Sequence, residues 1–113
     1  MLEQQLICQK YKSPVVQCNP FKKIGIAIAS LNTQPIRGKR YAAVDGTEGW
    51  YIWGGEFSED VDFFSPVHVS HIDEVFPQIK KYLSLAPGFS FVIDSNGYEA
   101  VWFSLEQSQK TSE

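Results

Sequence analysis

The chain has 113 residues, 43% of them hydrophobic and 14% aromatic, enough large side chains to build one core without a metal or disulfide staple. Ten Lys and Arg against 13 Asp and Glu leave a formal charge of −3, which removes the basic excess that binding to a phosphate backbone demands. The longest apolar run, Ile24 to Ala29, falls far short of the roughly 20 residues of a membrane span, and the opening MLEQQLICQK lacks the basic start and apolar stretch of a secretory signal. The expectation is a soluble, cytoplasmic protein with neither nucleic acid nor membrane as partner.

Residues Glu3 to Tyr11 predict a short helix with Leu2, Leu6 and Ile7 on its packed side, ended by Ser13-Pro14, which forces extended backbone. Val15-Val16 predicts a short strand, and Asn19-Pro20 punctuates the chain. Cys8 and Cys18 match neither a CxxC motif nor a zinc knuckle, and are expected to be free thiols packed as small hydrophobes. From Ile24 to Ser30, Ile alternates with Gly and Ala, so a strand is predicted whose small face could admit a closely packed helix. Leu31 to Glu48 shows no sustained period and is expected to be a loop-rich connection. Its basic patch, Arg37, Lys39 and Arg40, is either solvated or a contact for an anion or an acidic partner.

The run Gly49 to Phe64 is the densest in the chain, with six aromatic residues, a Gly54-Gly55 pair and four carboxylates. Trp50 to Trp53 predicts a strand with Trp50 and Ile52 on one face and Tyr51 and Trp53 on the other. Glu56, Glu59, Asp60 and Asp62, interleaved with Phe57, Phe63 and Phe64, predict a loop anchored by its aromatics with its carboxylates in water. Val67 to Val69 predicts another strand. Ser70 is then expected to cap a helix bearing Ile72, Val75, Phe76, Ile79 and Leu83, with Pro77 imposing a kink or a late start near Asp73. Phe89 to Ile93 and Tyr98 to Phe103 around Asn96-Gly97 predict a β-hairpin. A two-residue loop sets Phe91 opposite Trp102 but Asp94 opposite Glu99; a longer loop starting at Asp94 avoids that like-charge pair. Trp50, Ile52, Phe91 and Trp102 are expected in the core.

The element pattern reads as an α+β fold: a single domain over residues 1–106, built on an antiparallel sheet with a C-terminal β-hairpin and one or two packed helices, followed by a polar, frayed tail over 107–113. Catalytic signatures are missing. The sequence has no Gly-x-Ser-x-Gly elbow and no phosphate loop, and His68 and His71 lack the Glu of HExxH. The acidic run has neither the glycine nor the terminal Glu of a calcium loop. No catalytic residue, cofactor or metal is therefore assigned.

The segments Gly49-Trp-Tyr-Ile-Trp-Gly-Gly-Glu56, Asp62-Phe-Phe-Ser-Pro-Val-His68, Pro87-Gly-Phe-Ser-Phe91 and Tyr98-Glu-Ala-Val-Trp102 resemble the bacterial immunity protein 33-like family. Ile24-Gly-Ile-Ala and Pro35-Ile-Arg-Gly38 add to the likeness, which runs from about Lys23 to Phe103. Phe89-Ser90 and Ala100 depart from the family's pattern of a Trp-Arg pair and an acid. The resemblance implies a protein that binds and neutralises a toxin of a bacterial polymorphic toxin system. Combined with the aromatic and acidic loop, it points to Trp53, Glu56, Glu59, Asp60, Asp62 and His68 as partner-binding residues, with a cognate protein toxin as partner. The alternatives are a small ligand-binding or enzymatic domain using a cleft near Trp53, Glu56 and His68, and a structural adaptor.

Overall fold

The computed structural model describes residues 2–44 and 46–109. Helix α1 (Leu2–Lys10) leads through an irregular segment into β1 (Lys23–Ile26), followed by β2 (Ile36–Arg40), β3 (Thr47–Gly54) and β4 (Ser65–His68). After α2 (Ile72–Val75) and a 3₁₀ stretch over Pro77–Tyr82 come β5 (Phe89–Ile93), β6 (Glu99–Phe103) and α3 (Leu105–Gln109). The strands form one six-stranded sheet in the order β4-β1-β3-β2-β5-β6, antiparallel throughout except for the β1–β3 pair. The fold is α+β.

Register assigns each side chain to a face. Ile36, Gly38 and Arg40 pair with Gly54, Ile52 and Trp50, and Gly38 also pairs with Phe91, so this set shares the inner face with Ile24 and Ile26. Helix α1, α2 and the Pro77–Tyr82 stretch cover that face through Ile7, Cys8, Ile72, Ile79 and Tyr82. Phe91 stacks on Tyr82 at 4.6 Å and lies 5.6 Å from Trp50. Gly38 makes this possible, since a Cβ there would come within 2.3 Å of the Phe91 ring.

The packed side of α1 is not the one its leucines suggest. Leu2 and Leu6 are exposed, while Ile7 and Cys8 are buried and the Gln4 amide donates to the carbonyl of Lys80. β1 also ends earlier than the alternation implies: Ile28–Ser30 is a 3₁₀ turn and Ile28 is exposed. The ring of Tyr51, not a helix, fills the space over Gly25. The expected loop from Leu31 to Glu48 contains β2, which is flanked by β3 and β5 well inside the sheet. Pro77 does break the helical stretch, leaving one α-turn and a 3₁₀ segment, and no side chain caps α2.

The hairpin takes the longer loop. Phe91 pairs with Val101, and Asp94 turns its carboxylate to accept from the amides of Asn96 and Tyr98, with Gly97 at φ 90° closing the turn. This one-residue difference in register moves Trp102 to the outer face beside Ser90, where its side chain is 44% exposed. Trp102 is therefore not a core residue. Helix α3 extends past the expected start of the tail: Gln107 is buried, its amide donates to the carbonyls of Arg40 and Phe89, and it accepts from Ser90 Oγ. Lys110 to Glu113, the rest of the expected tail, lie outside the described residues.

Glu99 ties the hairpin to the helical layer. Its carboxylate accepts from Tyr11 Oη at 2.5 Å, Tyr82 Oη at 2.6 Å and Lys10 Nζ at 3.0 Å. Burial raises its pKa, but the three donors outweigh burial and hold it at about 2. A depressed folded-state pKa contributes stability that is complete above the unfolded value near 4.5 and is lost as pH falls toward 2. Chemical denaturation across that window is expected to show a smaller acid-induced loss for Glu99→Gln than for the wild type. Equal pH dependence in both proteins would contradict the assignment.

Candidate functional site

The outer face of the sheet carries Tyr51 and Trp53 from β3, Arg37 and Lys39 from β2, Val92 from β5 and Trp102 from β6. Alternation along β3 drives this: its inward set, Trp50 and Ile52, is bulky enough for the core, so Tyr51 and Trp53 need cover of their own. The chain supplies it at once. Gly54 and Gly55 allow a close turn, Gly55 at φ 70° lying against Thr33, and the segment from Glu56 to Phe64 folds back over the sheet.

Its aromatic residues form a contiguous cluster in which Trp53 lies 5.6 Å from Phe57 and 6.0 Å from Phe64, Tyr51 lies 5.1 Å from Phe64, and Phe63 lies 4.9 Å from Phe64. Edge-to-face geometry predominates, as expected for aromatic quadrupoles. Trp53 is only 6% exposed, and its indole Nε1 is buried with no partner among the described residues. The loop is fixed to the sheet by rings.

The polar side chains of the same segment point the other way. Glu56, Glu59, Asp60 and Asp62 are exposed, and Val61 at the tip is 93% exposed. Local bonds shape the crest: Asp60 N donates to Ser58 Oγ, Asp62 N donates to Asp60 Oδ1, and Phe63 N donates to the carbonyl of Asp60. The three ion pairs among the described residues involve Glu99, Glu48 and Asp73, so none neutralises this crest. Four negative charges in seven residues project a field that short-range pairing does not cancel.

Beside the crest runs a groove of about 280 Å³ whose lining includes Arg37, Lys39, Trp53, Glu56, Phe57 and Trp102. Arg37 Nε donates to the carbonyl of Gly55, which sets its guanidinium against the base of the loop. The basic residues read from sequence as one patch are thus divided. Arg37 and Lys39 face the groove, whereas Arg40 points inward and is 1% exposed. Arg40 donates to the carbonyls of Val16, Leu83, Leu85 and Glu48 and to Glu48 Oε1. It is a structural cation.

Trp53 and Glu56 line the groove together and Glu59, Asp60 and Asp62 lie exposed on the crest beyond it, but His68 does not join them. His68 pairs with Lys23, which pairs with Thr47 at the start of β3, whereas Trp53 and Glu56 lie at its end. Measured along β1, about four residues of strand and two strand spacings separate the two positions by roughly 16 Å. The groove lined by Trp53 and Glu56 does not include His68. The His68 ring instead meets that of His71 at 5.7 Å. Among the described residues no group of three or more His, Cys, Asp or Glu could hold a metal ion.

Both thiols are held against backbone: Cys8 Sγ donates to the carbonyl of Ser84 and Cys18 Sγ to that of Leu83. Burial raises both, Cys18 to about 11, which suppresses the reactive thiolate. Sequence reasoning missed Arg37, Lys39 and Trp102 as neighbours of the acidic loop. The alternation of Ile36-Arg-Gly-Lys-Arg40 could have revealed the first two, had its charges not masked a strand pattern.

No helix among the described residues is long and apolar enough to cross a membrane. Comparison with curated proteins and with solved structures gives no match. The family is nevertheless shown by a model that matches nearly the whole sequence: the chain belongs to the Imm33-like domain family, over residues 3–104.

Proposed function

We propose that the protein is an immunity protein that acts in the cytoplasm by binding and neutralising a protein toxin of a polymorphic toxin system, without turning over a substrate. Its membership of the Imm33-like domain family supports this class of function. The observation that carries the reading to a surface is the crest of Glu56, Glu59, Asp60 and Asp62, exposed, without ion pairs among the described residues, and seated on packed aromatic rings. A preformed acidic crest accelerates encounter with a basic surface while ordering few side chains on binding. The apolar groove beside it, with Trp102 and Phe57 partly exposed, supplies the aromatic area that interface centres favour. That groove also supports a second reading, a small-ligand site using Trp53 and Glu56 without His68.

The test is association kinetics with the toxin domain encoded in the neighbouring reading frame, at low and high salt. The variant Glu59→Lys/Asp60→Lys is expected to associate on the order of tenfold more slowly at low salt, with a smaller change in dissociation. High salt should narrow the difference by screening. Both residues are exposed, and loss of the one side-chain bond involved, from Asp62 N to Asp60 Oδ1, should change folding stability by no more than about 1 kcal/mol. Equal association rates at low salt would exclude the crest as the recognition surface, and loss of all toxin binding by the wild type would favour the small-ligand reading.

A further inference from the structure

The two edges of the sheet are built differently. β4 is four residues long and carries Pro66, which has no amide hydrogen to offer a new strand. β6 is five residues, Glu99-Ala-Val-Trp-Phe103, and lies outermost at the other edge. It has neither Lys nor Pro, and its pairing with β5 is continuous, without a bulge. Its one charge, Glu99, is committed inward to Tyr11, Tyr82 and Lys10. Apart from that inward-turned charge, already neutralised by Lys10, β6 carries none of the usual devices that discourage strand addition.

The backbone orientation of β6 follows from its ladder. Asp94 N donates to the carbonyl of Tyr98, and Ser104 N to that of Gly88. By antiparallel alternation, residues 98, 100, 102 and 104 turn their backbone groups toward β5, and Glu99, Val101 and Phe103 turn theirs outward. Among the described residues those outward groups meet no further strand. Around them the surface is apolar, with Tyr98, Trp102, Phe103 and Leu105 all exposed.

We infer that β6 pairs antiparallel with β6 of a second copy of this chain, about a two-fold axis through Val101, joining two six-stranded sheets into one. The sequence is self-complementary in that register. Val101 meets its own counterpart, Glu99 meets Phe103 of the other copy, and Ala100 meets Trp102 of the other copy. The largest side chain thus lies opposite the smallest, and no like charges face one another. Each outward pair exchanges two backbone hydrogen bonds, and the same patch serves both copies, as two-fold symmetry requires. The outer face, with Trp102 beside the groove, becomes continuous across the junction.

Light scattering during size-exclusion chromatography is expected to report twice the 12.8 kDa of one chain, with dissociation on dilution. Val101→Pro removes an outward amide and leaves the β5 ladder intact, so it should give a folded monomer by circular dichroism. The register has its own test. Val101→Cys places two Cα atoms about 5.5 Å apart, within the 4.4–6.8 Å a disulfide spans, and should cross-link on mild oxidation. Trp102→Cys alone should not, whereas a mixture of Ala100→Cys and Trp102→Cys should. A wild-type monomer at every concentration, or a dimer unchanged by Val101→Pro, overturns the pairing. A monomer whose toxin binding is lost in Val101→Pro also overturns it and assigns the edge to a toxin strand. A monomer that still binds toxin normally overturns the pairing alone and leaves the immunity role standing.

Discussion

Replacing Arg40 with Met is expected to destabilise the protein by about 3–5 kcal/mol, the usual cost of breaking a buried ion pair from one side. Its guanidinium reaches the carbonyls of Val16, Leu83 and Leu85 at 2.8–3.0 Å, so one side chain joins β2 to the segment after α1 and to the turn before β5. Glu48, 3.2 Å away across the pair, accepts from Asn19 N as well. Without Arg40 the carboxylate stays buried with no cation, and several carbonyls lose their donor. A domain of ordinary stability, about 5–15 kcal/mol, gives up a large part of its total. The double variant Arg40→Met/Glu48→Gln should recover part of the loss, because it removes the stranded charge. Urea unfolding measures both. A loss below 1 kcal/mol for Arg40→Met would contradict the role assigned to this cation.

The second large effect is expected at Gly38, where alanine introduces a methyl group 2.3 Å from Phe91 Cε2. Phe91 cannot yield easily, being fully buried between Trp50 and the Tyr82 ring stacked 19° from parallel. Overpacking of a filled core costs about 1–3 kcal/mol, and Gly38→Ala belongs at the upper end of that range. The thermal midpoint should fall accordingly, and Gly38→Ala/Phe91→Leu should regain part of it by restoring space. Wild-type stability in Gly38→Ala would show that the Phe91 ring is less constrained than its contacts indicate.

Much of the fold was legible because it follows from local pattern. Period-two alternation placed Trp50 and Ile52 inward and Tyr51 and Trp53 outward, Pro77 marked the break between helical segments, and the Phe-rich spacing of 57–64 identified an anchored loop. The failure at β2 arises because its partners lie far away in sequence. β2 carries three basic residues and a glycine, so nothing local identifies it as an interior strand; its strand character comes from two neighbours and from carbonyls 43 and 45 residues distant from Arg40. Trp102 was misplaced because loop length alone sets hairpin register, and a shift of one residue exchanges the two faces. Leu2 and Leu6 misled in the opposite sense, since the inward side of α1 uses the polar Gln4 to reach Lys80 and Ser84.

The acidic crest is contiguous in sequence and was recognisable, whereas the groove beside it is assembled from β2, β3, β5 and β6 and was not. His68 joins the crest in the sequence only through the family resemblance. The β1–β3 and β1–β4 registers place it at the far end of β3.

The central claim, neutralisation of a toxin by binding, is tested most directly by growth rescue. Cells expressing the toxin domain encoded beside this gene should survive when they also express this chain, and a complex of the two should be purified from them. Glu59→Lys/Asp60→Lys, expressed to the same level, should rescue less well, since encounter is slowed while the fold is kept. Survival no better than with an empty vector, with the wild-type chain folded and abundant and no complex recovered, would contradict the claim.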